Sequence, residues 1–206
     1  MEVSRLQKLR KRVAREAAIL LYTSQEKEYK QAKIRASQTL SVRILPANAE
    51  VAVELDRIAE EREGPSRPER LARLREEALR LMTILQSYNP RLIGSVWRGT
   101  ANKSSDIDII AFASDHNAVL TSLQEKSLEI LETKWISVTK QGKKESTFHI
   151  HLLLSSGNQA EVVIQKLEKV NISRRCEIYG DYLTGLDYSQ LQRVLKENPL
   201  QRFTPD

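Results

Sequence analysis

The stretch that most constrains this chain runs from Leu92 to Phe112: Leu-Ile-Gly-Ser-Val-Trp-Arg-Gly-Thr-Ala-Asn-Lys-Ser-Ser-Asp-Ile-Asp-Ile-Ile-Ala-Phe. A short apolar run ends in Gly94-Ser95, a polar loop follows, and Asp106-Ile107-Asp108 leads into Ile109, Ile110, Ala111 and Phe112. The second run has the length and β-branched content of a buried strand. Successive strand side chains point to opposite faces, so Asp106 and Asp108 project to the same side. Two carboxylates held that close repel each other and call for a cation between them. No Cys or His stands nearby in sequence, so ligation is all oxygen, which suits Mg²⁺ or Mn²⁺ better than zinc.

The Gly-Ser pair supplies the complementary half of such a site. Gly94 lets the backbone turn sharply and come close to a ligand. Ser95 offers a hydroxyl and an N–H where a helix starts, and helix N-termini attract phosphate. Arg98 falls one turn further along, and Lys103 lies in the loop beyond; both are expected to neutralise phosphate oxygens. Acids for a cation next to a phosphate cradle point to nucleotide chemistry.

In Gly94, Ser95, Asp106 and Asp108 the sequence resembles the DNA polymerase β-type nucleotidyltransferase superfamily, whose signature is a Gly-Ser or Gly-Gly pair, a loop, and Asp-x-Asp on a strand. The Gly-Ser-x-x-Arg-Gly-Thr form of the first part, Gly94 to Thr100, is most similar to the CCA-adding, poly(A) polymerase and oligoadenylate synthetase branches. The resemblance implies an α+β fold, a polymerase β-like mixed sheet with flanking helices. It implies that Asp106 and Asp108 hold two Mg²⁺ (or Mn²⁺) ions and that Gly94, Ser95, Arg98 and Lys103 hold an NTP. It also implies a third carboxylate on a later strand. Glu161, which opens Glu161-Val-Val-Ile164, is the natural match, either as metal ligand or as general base; the usual residue there is Asp, so Glu is a departure, and Glu145 is the second candidate. The reaction implied moves a nucleoside monophosphate from an NTP to an acceptor hydroxyl, an RNA 3′ end or a protein, and releases pyrophosphate. A non-catalytic RNA- or protein-binding module that keeps the fold is the alternative.

Length and composition fit a compact cytoplasmic protein. The 206 residues carry a single Cys176, which excludes an internal disulfide framework. No apolar run approaches the eighteen or so residues of a membrane span, and the basic N-terminus lacks the apolar core of a signal peptide. The net charge of +6 suits an anionic partner and equally a solvated basic surface.

Taken in order, Ser4 to Ser37 reads as one long helix, with Leu6, Leu9, Val13, Ala17 and Leu20 on one face. Arg5, Lys8, Arg12 and Arg15 follow the same rhythm on another face, either as an RNA backbone contact or as a solvated face. A polar helix spans Ala49 to Arg62. Gly64-Pro-Ser-Arg-Pro-Glu69 is the clearest linker, and it divides an N-terminal helical region (1–64) from the nucleotidyltransferase domain (65–206). Ser66 and Glu69 read as a capping box for a third helix ending near Ser87. Beyond Phe112 the pattern predicts a helix over Asn117–Thr133, a strand over Trp135–Thr139, a turn at 141–145, and strands at Thr147–Leu154 and Glu161–Ile164. His149 and His151 share a strand face and read as sheet-surface or wall positions. Trp97 and Trp135 read as packing residues. Glu177–Gly180 reads as a short strand, and Asp187 with Gln190 opens a last helix.

Overall fold

Alanine at the helix crossings shapes the N-terminal region. The computed structural model, which describes residues 2–140 and 143–205, begins with α1 (Glu2–Tyr22), α2 (Tyr29–Thr39) and α3 (Asn48–Glu63). Ala14, Ala17 and Ala18 of α1 share a core with Ala32 and Ala36 of α2 and Ala59 of α3. Side chains this small allow close interaxial approach. Val13, Leu20, Val51 and Ile58 fill what remains. Leu6, expected on the buried stripe, is 53% exposed, so the stripe becomes core only from Val13 onward.

The single long helix expected from Ser4 to Ser37 is two helices. Thr23 Oγ1 donates to the Ile19 carbonyl at 2.8 Å and Ser24 adopts φ +56°, while the N–H groups of Gln25 and Glu26 both turn back to Leu20 O. A hydroxyl that competes for backbone acceptors followed by a left-handed residue is a helix stop, although the apolar rhythm runs past it. α3 begins with Ala47 N–H donating to Glu50 Oε2 at 2.6 Å and ends at Gly64 (φ +52°). The capping box expected at Ser66 and Glu69 does not form. Ser66 is already the first residue of α4 (Ser66–Ile84), its hydroxyl donates to Glu63 O, and the Arg67 N–H is satisfied by Gly64 O.

The rest of the chain builds a five-stranded mixed sheet with flanking helices, an α+β fold. Its strands are β1 (Arg91–Ile93), β2 (Ile107–Phe112), β3 (Glu129–Lys140), β4 (Lys143–Leu153) and β5 (Gln159–Gln165), in the order β1-β2-β5-β4-β3. β2 and β5 run parallel; the other pairs are antiparallel. The helix expected to reach Thr133 stops early, as α6 (His116–Gln124), and β3 begins six residues ahead of the predicted start, at Glu129. Ser127 (φ +56°) turns the chain, and Glu129 and Ile130 find ladder partners in Leu153 and Leu152 of β4. Long-range pairing here overrides a helical apolar pattern. The turn predicted at 141–145 centres on residues 141 and 142, which lie outside the described residues; Lys143 to Glu145 are already strand.

One face of the sheet is core and the other is not. Ile107, Ile109 and Ala111 of β2 line up with Ala160, Val162 and Ile164 of β5 and with Leu152, Ile150 and Phe148 of β4. These pack with Leu74, Leu81 and Met82 of α4, Val119 and Leu123 of α6, and Leu191 and Val194 of α7 (Tyr188–Glu197). The capping box expected for α7 is present: Gln190 N–H donates to Asp187 Oδ1 at 2.8 Å and Asp187 N–H to Gln190 Oε1 at 2.9 Å. Between β5 and α7 the chain makes an excursion, residues 166–187, with no named strand at 177–180. Cys176 N–H donates to Asp181 O, Gly180 N–H donates to Cys176 O, and the segment closes into a tight loop. Among the described residues no helix is long and apolar enough to cross a membrane.

Candidate active site

The turn after β1 presses closely on the start of β2. Ile93 is paired with Asp108, and the next residue, Gly94, has φ +70°. A Cβ at position 94 would stand 1.9 Å from Asp108 Oδ2 and 2.8 Å from its Cγ. Glycine is therefore required twice, by conformation and by space. Gly94 opens α5 (Gly94–Arg98), which ends at Gly99, also left-handed, whose N–H returns to Ser95 O. Five residues carry little of a helix macrodipole, so what this turn can offer an anion is individual N–H groups and the Ser95 hydroxyl.

Across the open face of the sheet the register sets Asp108 of β2 beside Glu161 of β5, and Glu161 beside His151 of β4. His149 Nδ1 lies 2.7 Å from Glu161 Oε1, and its Nε2 lies 2.7 Å from Thr147 Oγ1. His151 Nε2 is 3.4 Å from the same Glu161 oxygen, is buried, and makes no hydrogen bond. Burial pushes the Asp108 carboxyl well above the usual carboxylate range, and the charges of Asp106 and Glu161 push it further. Burial also raises Asp106 and Glu161 adds to the rise, while its own backbone N–H and His151 offset part of it. Asp106 stands at the mouth of the strand with much of its surface in solvent, so its rise is the softer of the two. The acids thus crowd one another as expected. Glu145, the second candidate for the third acid, pairs with Lys169 at 2.7 Å.

Asp106 and Asp108 form part of the wall of a 420 Å³ cleft, which Glu161 does not line. Gly94, Ser95, Asp106 and Asp108 line one side. Tyr29 of α2, Leu55 and Asp56 of α3, and Cys176, Tyr179 and Leu183 of the excursion line the others. Burial raises the Tyr29 and Tyr179 hydroxyls above their ordinary range, so both remain neutral hydrogen-bonding groups at physiological pH. The N-terminal helices therefore do more than precede the site: they close it. Nothing in their apolar periodicity signals that role.

Two of the expected phosphate cations are committed elsewhere. Arg98 is 3% exposed; its Nη1 and Nη2 donate to the two carboxylate oxygens of Asp181 at 2.7 Å, and Nη1 also donates to Phe203 O at 2.7 Å. Its guanidinium lies 4.1 Å from the Trp97 ring centroid and 4.9 Å from that of Tyr179. Arg98 borders the cleft, but its fork is spent on locking the excursion to α5. Lys103 is exposed, sits over the Tyr22 ring at 4.9 Å and does not line the cleft; its backbone N–H donates to Glu63 Oε1. Lys27, from the α1–α2 connection, does line the cleft, and its ammonium has no partner among the described residues. In the sequence Lys27 reads only as part of the basic run that continues along the N-terminal helix; the folding back of α2 is what carries it to the cleft.

On α1 the basic stripe is divided. Arg15 is held by Glu61 at 2.7 Å and reaches Glu54 at 3.4 Å, while Arg5, Lys8 and Arg12 are exposed. The stripe stands on the N-terminal bundle rather than in the cleft. Trp97 is buried and stacks on Phe203 at 6.5 Å, whereas Trp135 is 58% exposed on edge strand β3, against His116 and Phe148.

Residues 71–170 match the family model described as a nucleotidyltransferase domain. No curated protein matches the chain. Among solved structures, the chain is similar to one in the GLD-2/RNP-8 complex, at 17% identity over 52% of this chain and 35% of that one, with a TM-score of 0.32. It is also similar to a cytoplasmic RNA terminal U-transferase, at 18% identity over 57% of this chain and 34% of that one, with a TM-score of 0.30. The chain spans about a third of the length of these structures. The matched span includes Gly94, the three acids and both histidines, and leaves out the α2 and α3 residues that close the cleft.

Proposed function

We propose that this chain, whose residues 71–170 match the nucleotidyltransferase-domain family model, transfers a nucleoside monophosphate from an NTP bound in the cleft to an acceptor hydroxyl and releases pyrophosphate. The observation that carries the reading is the pair Asp106 and Asp108, whose charged forms burial and neighbouring carboxylates disfavour, at a cleft whose turn admits only glycine. The donor set fits a hard divalent cation. Burial and the neighbouring carboxylates disfavour the charged forms of Asp106 and Asp108, a penalty that Mg²⁺ or Mn²⁺ relieves. Among the described residues no three His, Cys, Asp or Glu side chains stand close enough to enclose a metal ion. That suits Mg²⁺, which typically takes one or two carboxylates and completes its shell with substrate phosphates and water. Asp106 and Asp108 would hold it. When bound, the metal supplies positive charge to the triphosphate and lowers the pKa of an attacking hydroxyl.

The protein's own groups do the rest. Ser95 and the N–H groups of the turn donate to phosphate oxygens, and Lys27 supplies the cation that Arg98 and Lys103 do not. The acceptor oxygen forms a bond to the α-phosphorus as the bond to the bridging oxygen of the β-phosphate breaks, and pyrophosphate leaves with that electron pair. The hydroxyl proton passes to Glu161, whose Oε1 is fixed by His149 and whose second oxygen is the base. Residues 1–64 act as the lid-side wall of the nucleotide site, and residues 65–206 carry the chemistry.

The test is to incubate the protein with each labelled NTP and Mg²⁺ in the presence of total RNA or of lysate protein. Label incorporated into a macromolecule, with pyrophosphate released in equal amount, is the expected result. Binding of NTP with no turnover on any acceptor would instead make this a binding module that keeps the fold.

A further inference from the structure

A second cavity, a groove of 290 Å³, lies on the same open face of the sheet. Its floor is Ile93 of β1 with Ile110 and Phe112 of β2, and its rim is Arg91, Arg174 and Tyr182. The cleft takes the N-terminal half of the β2 face, at Asp106 and Asp108; the groove takes the C-terminal half, and Leu183 lines both. Arg91 is paired with Ile110 where Ile93 is paired with Asp108, so the groove floor begins one strand step, about 7 Å, from Asp108. We propose that this groove receives the acceptor, and that the acceptor is a single-stranded nucleic acid presenting its terminal hydroxyl to the acids. The proposal rests on the nucleotidyl-transfer reading and names the substrate that the reading leaves open.

Charge and surface select a nucleic acid. No carboxylate lines the groove, and three cations do: Arg91, Lys169 and Arg174. Lys169 is neutralised by Glu145, but Arg91 reaches only the Thr184 carbonyl at 3.4 Å, and the Arg174 guanidinium has no partner among the described residues. Two underused guanidiniums beside an apolar floor match the alternation of phosphate and base in a single strand. Tyr182 is 55% exposed; the Arg175 guanidinium lies 4.9 Å from its ring centroid, and the rest of the ring is open to stack on a nucleobase, with the exposed Ile172 as apolar surface beside it. The placement also satisfies the reaction. In-line displacement requires the acceptor oxygen opposite the departing pyrophosphate. With the triphosphate held at Ser95 and Lys27 in the cleft, the groove is the other approach to Asp108.

The experiment measures binding of a short fluorescent single-stranded RNA of mixed sequence across a salt series, for the parent, for Arg91→Gln with Arg174→Gln, and for Tyr182→Ala. Each phosphate neutralised contributes about 0.7 to the salt slope of a single strand, so the double variant should lose roughly 1.4 of slope and bind about tenfold more weakly. Its KM for RNA should rise in step, while kcat and the affinity for Mg²⁺-NTP stay at parent values. Tyr182→Ala should weaken binding with the slope unchanged, which separates stacking from charge. Parent-like RNA affinity and slope in the double variant, or label delivered to protein in preference to RNA, would overturn the groove. An Asp108→Asn arm tells the two readings apart. With that variant inactive, groove variants that bind RNA normally remove only the acceptor assignment; with that variant active, the nucleotidyl-transfer reading itself fails.

Discussion

The fold disfavours the charged form of Asp108 that its proposed role requires. Its folded pKa is raised above the unfolded value, so the metal-free protein binds more protons folded than unfolded in the interval between them. Stability from this site is therefore greatest below the ordinary carboxylate range and falls as pH rises through the folded pKa. Asp108→Asn should abolish transfer yet raise the Tm of metal-free protein at neutral pH, by about 2–4 °C for each kcal/mol of repulsion removed. It should also remove the fall in stability with rising pH that this carboxyl contributes. Scanning calorimetry from pH 4 to 8 checks both, and a variant that is less stable than the parent at neutral pH would contradict the crowding. Gly94→Ala is the companion change. Its methyl would collide with Asp108 Oδ2 and its φ of +70° disfavours any side chain, so a loss of about 1–3 kcal/mol with loss of transfer is expected in urea unfolding. These two residues were legible in the sequence because both lie within one short stretch with a fixed spacing. The hydrogen bond from His149 to Glu161 was not, since it depends on the β4–β5 register, which no local pattern encodes.

Elements are held together by arginines more than by their own propensities. Arg75 is fully buried in α4 and donates to the carbonyls of Val96, Trp97, Pro199 and Gln201. Burial without an anionic partner pushes it down to about 10, so it remains a cation at neutral pH and satisfies both the end of α5 and the segment after α7. Arg98 does the same for the 166–187 excursion through Asp181. Asp181→Ala would leave a buried guanidinium with only the Phe203 carbonyl, and should destabilise the protein by about 3 kcal/mol while speeding hydrogen exchange through residues 172–185. The pH sign here is opposite to that of Asp108. The Arg98 hydrogen bond holds Asp181 below its ordinary range, so its contribution is present above the unfolded pKa and is lost as pH falls through the folded one. Where elements were misread from sequence, the cause is comparable. The α1–α2 break rests on one hydroxyl and one left-handed serine, and the extension of β3 to Glu129 rests on partners in β4. Periodicity reports neither.

At the scale of the whole molecule, two hydrophobic cores, one in the N-terminal helices and one under the sheet, face each other across the cleft. Lys27 comes from the first and the acids from the second, so nucleotide affinity should depend on how the two are set. Lys27→Gln should raise the KM for NTP by about tenfold, the weight of one charge-assisted contact, with Tm unchanged and RNA affinity intact. Steady-state kinetics with thermal melts check this, and an unchanged KM would return Lys27 to the solvent. The meeting of cleft and groove at Leu183 has a consequence for the order of events. If the groove seats the acceptor as proposed, two separate doorways would let spent pyrophosphate leave and fresh nucleotide arrive while the acceptor stays in place. Only the growing end would then need to slide back by one unit between additions, so a single encounter can lengthen a strand several times before release, and product lengths measured with excess unlabelled competitor would cluster in runs rather than decay one unit at a time.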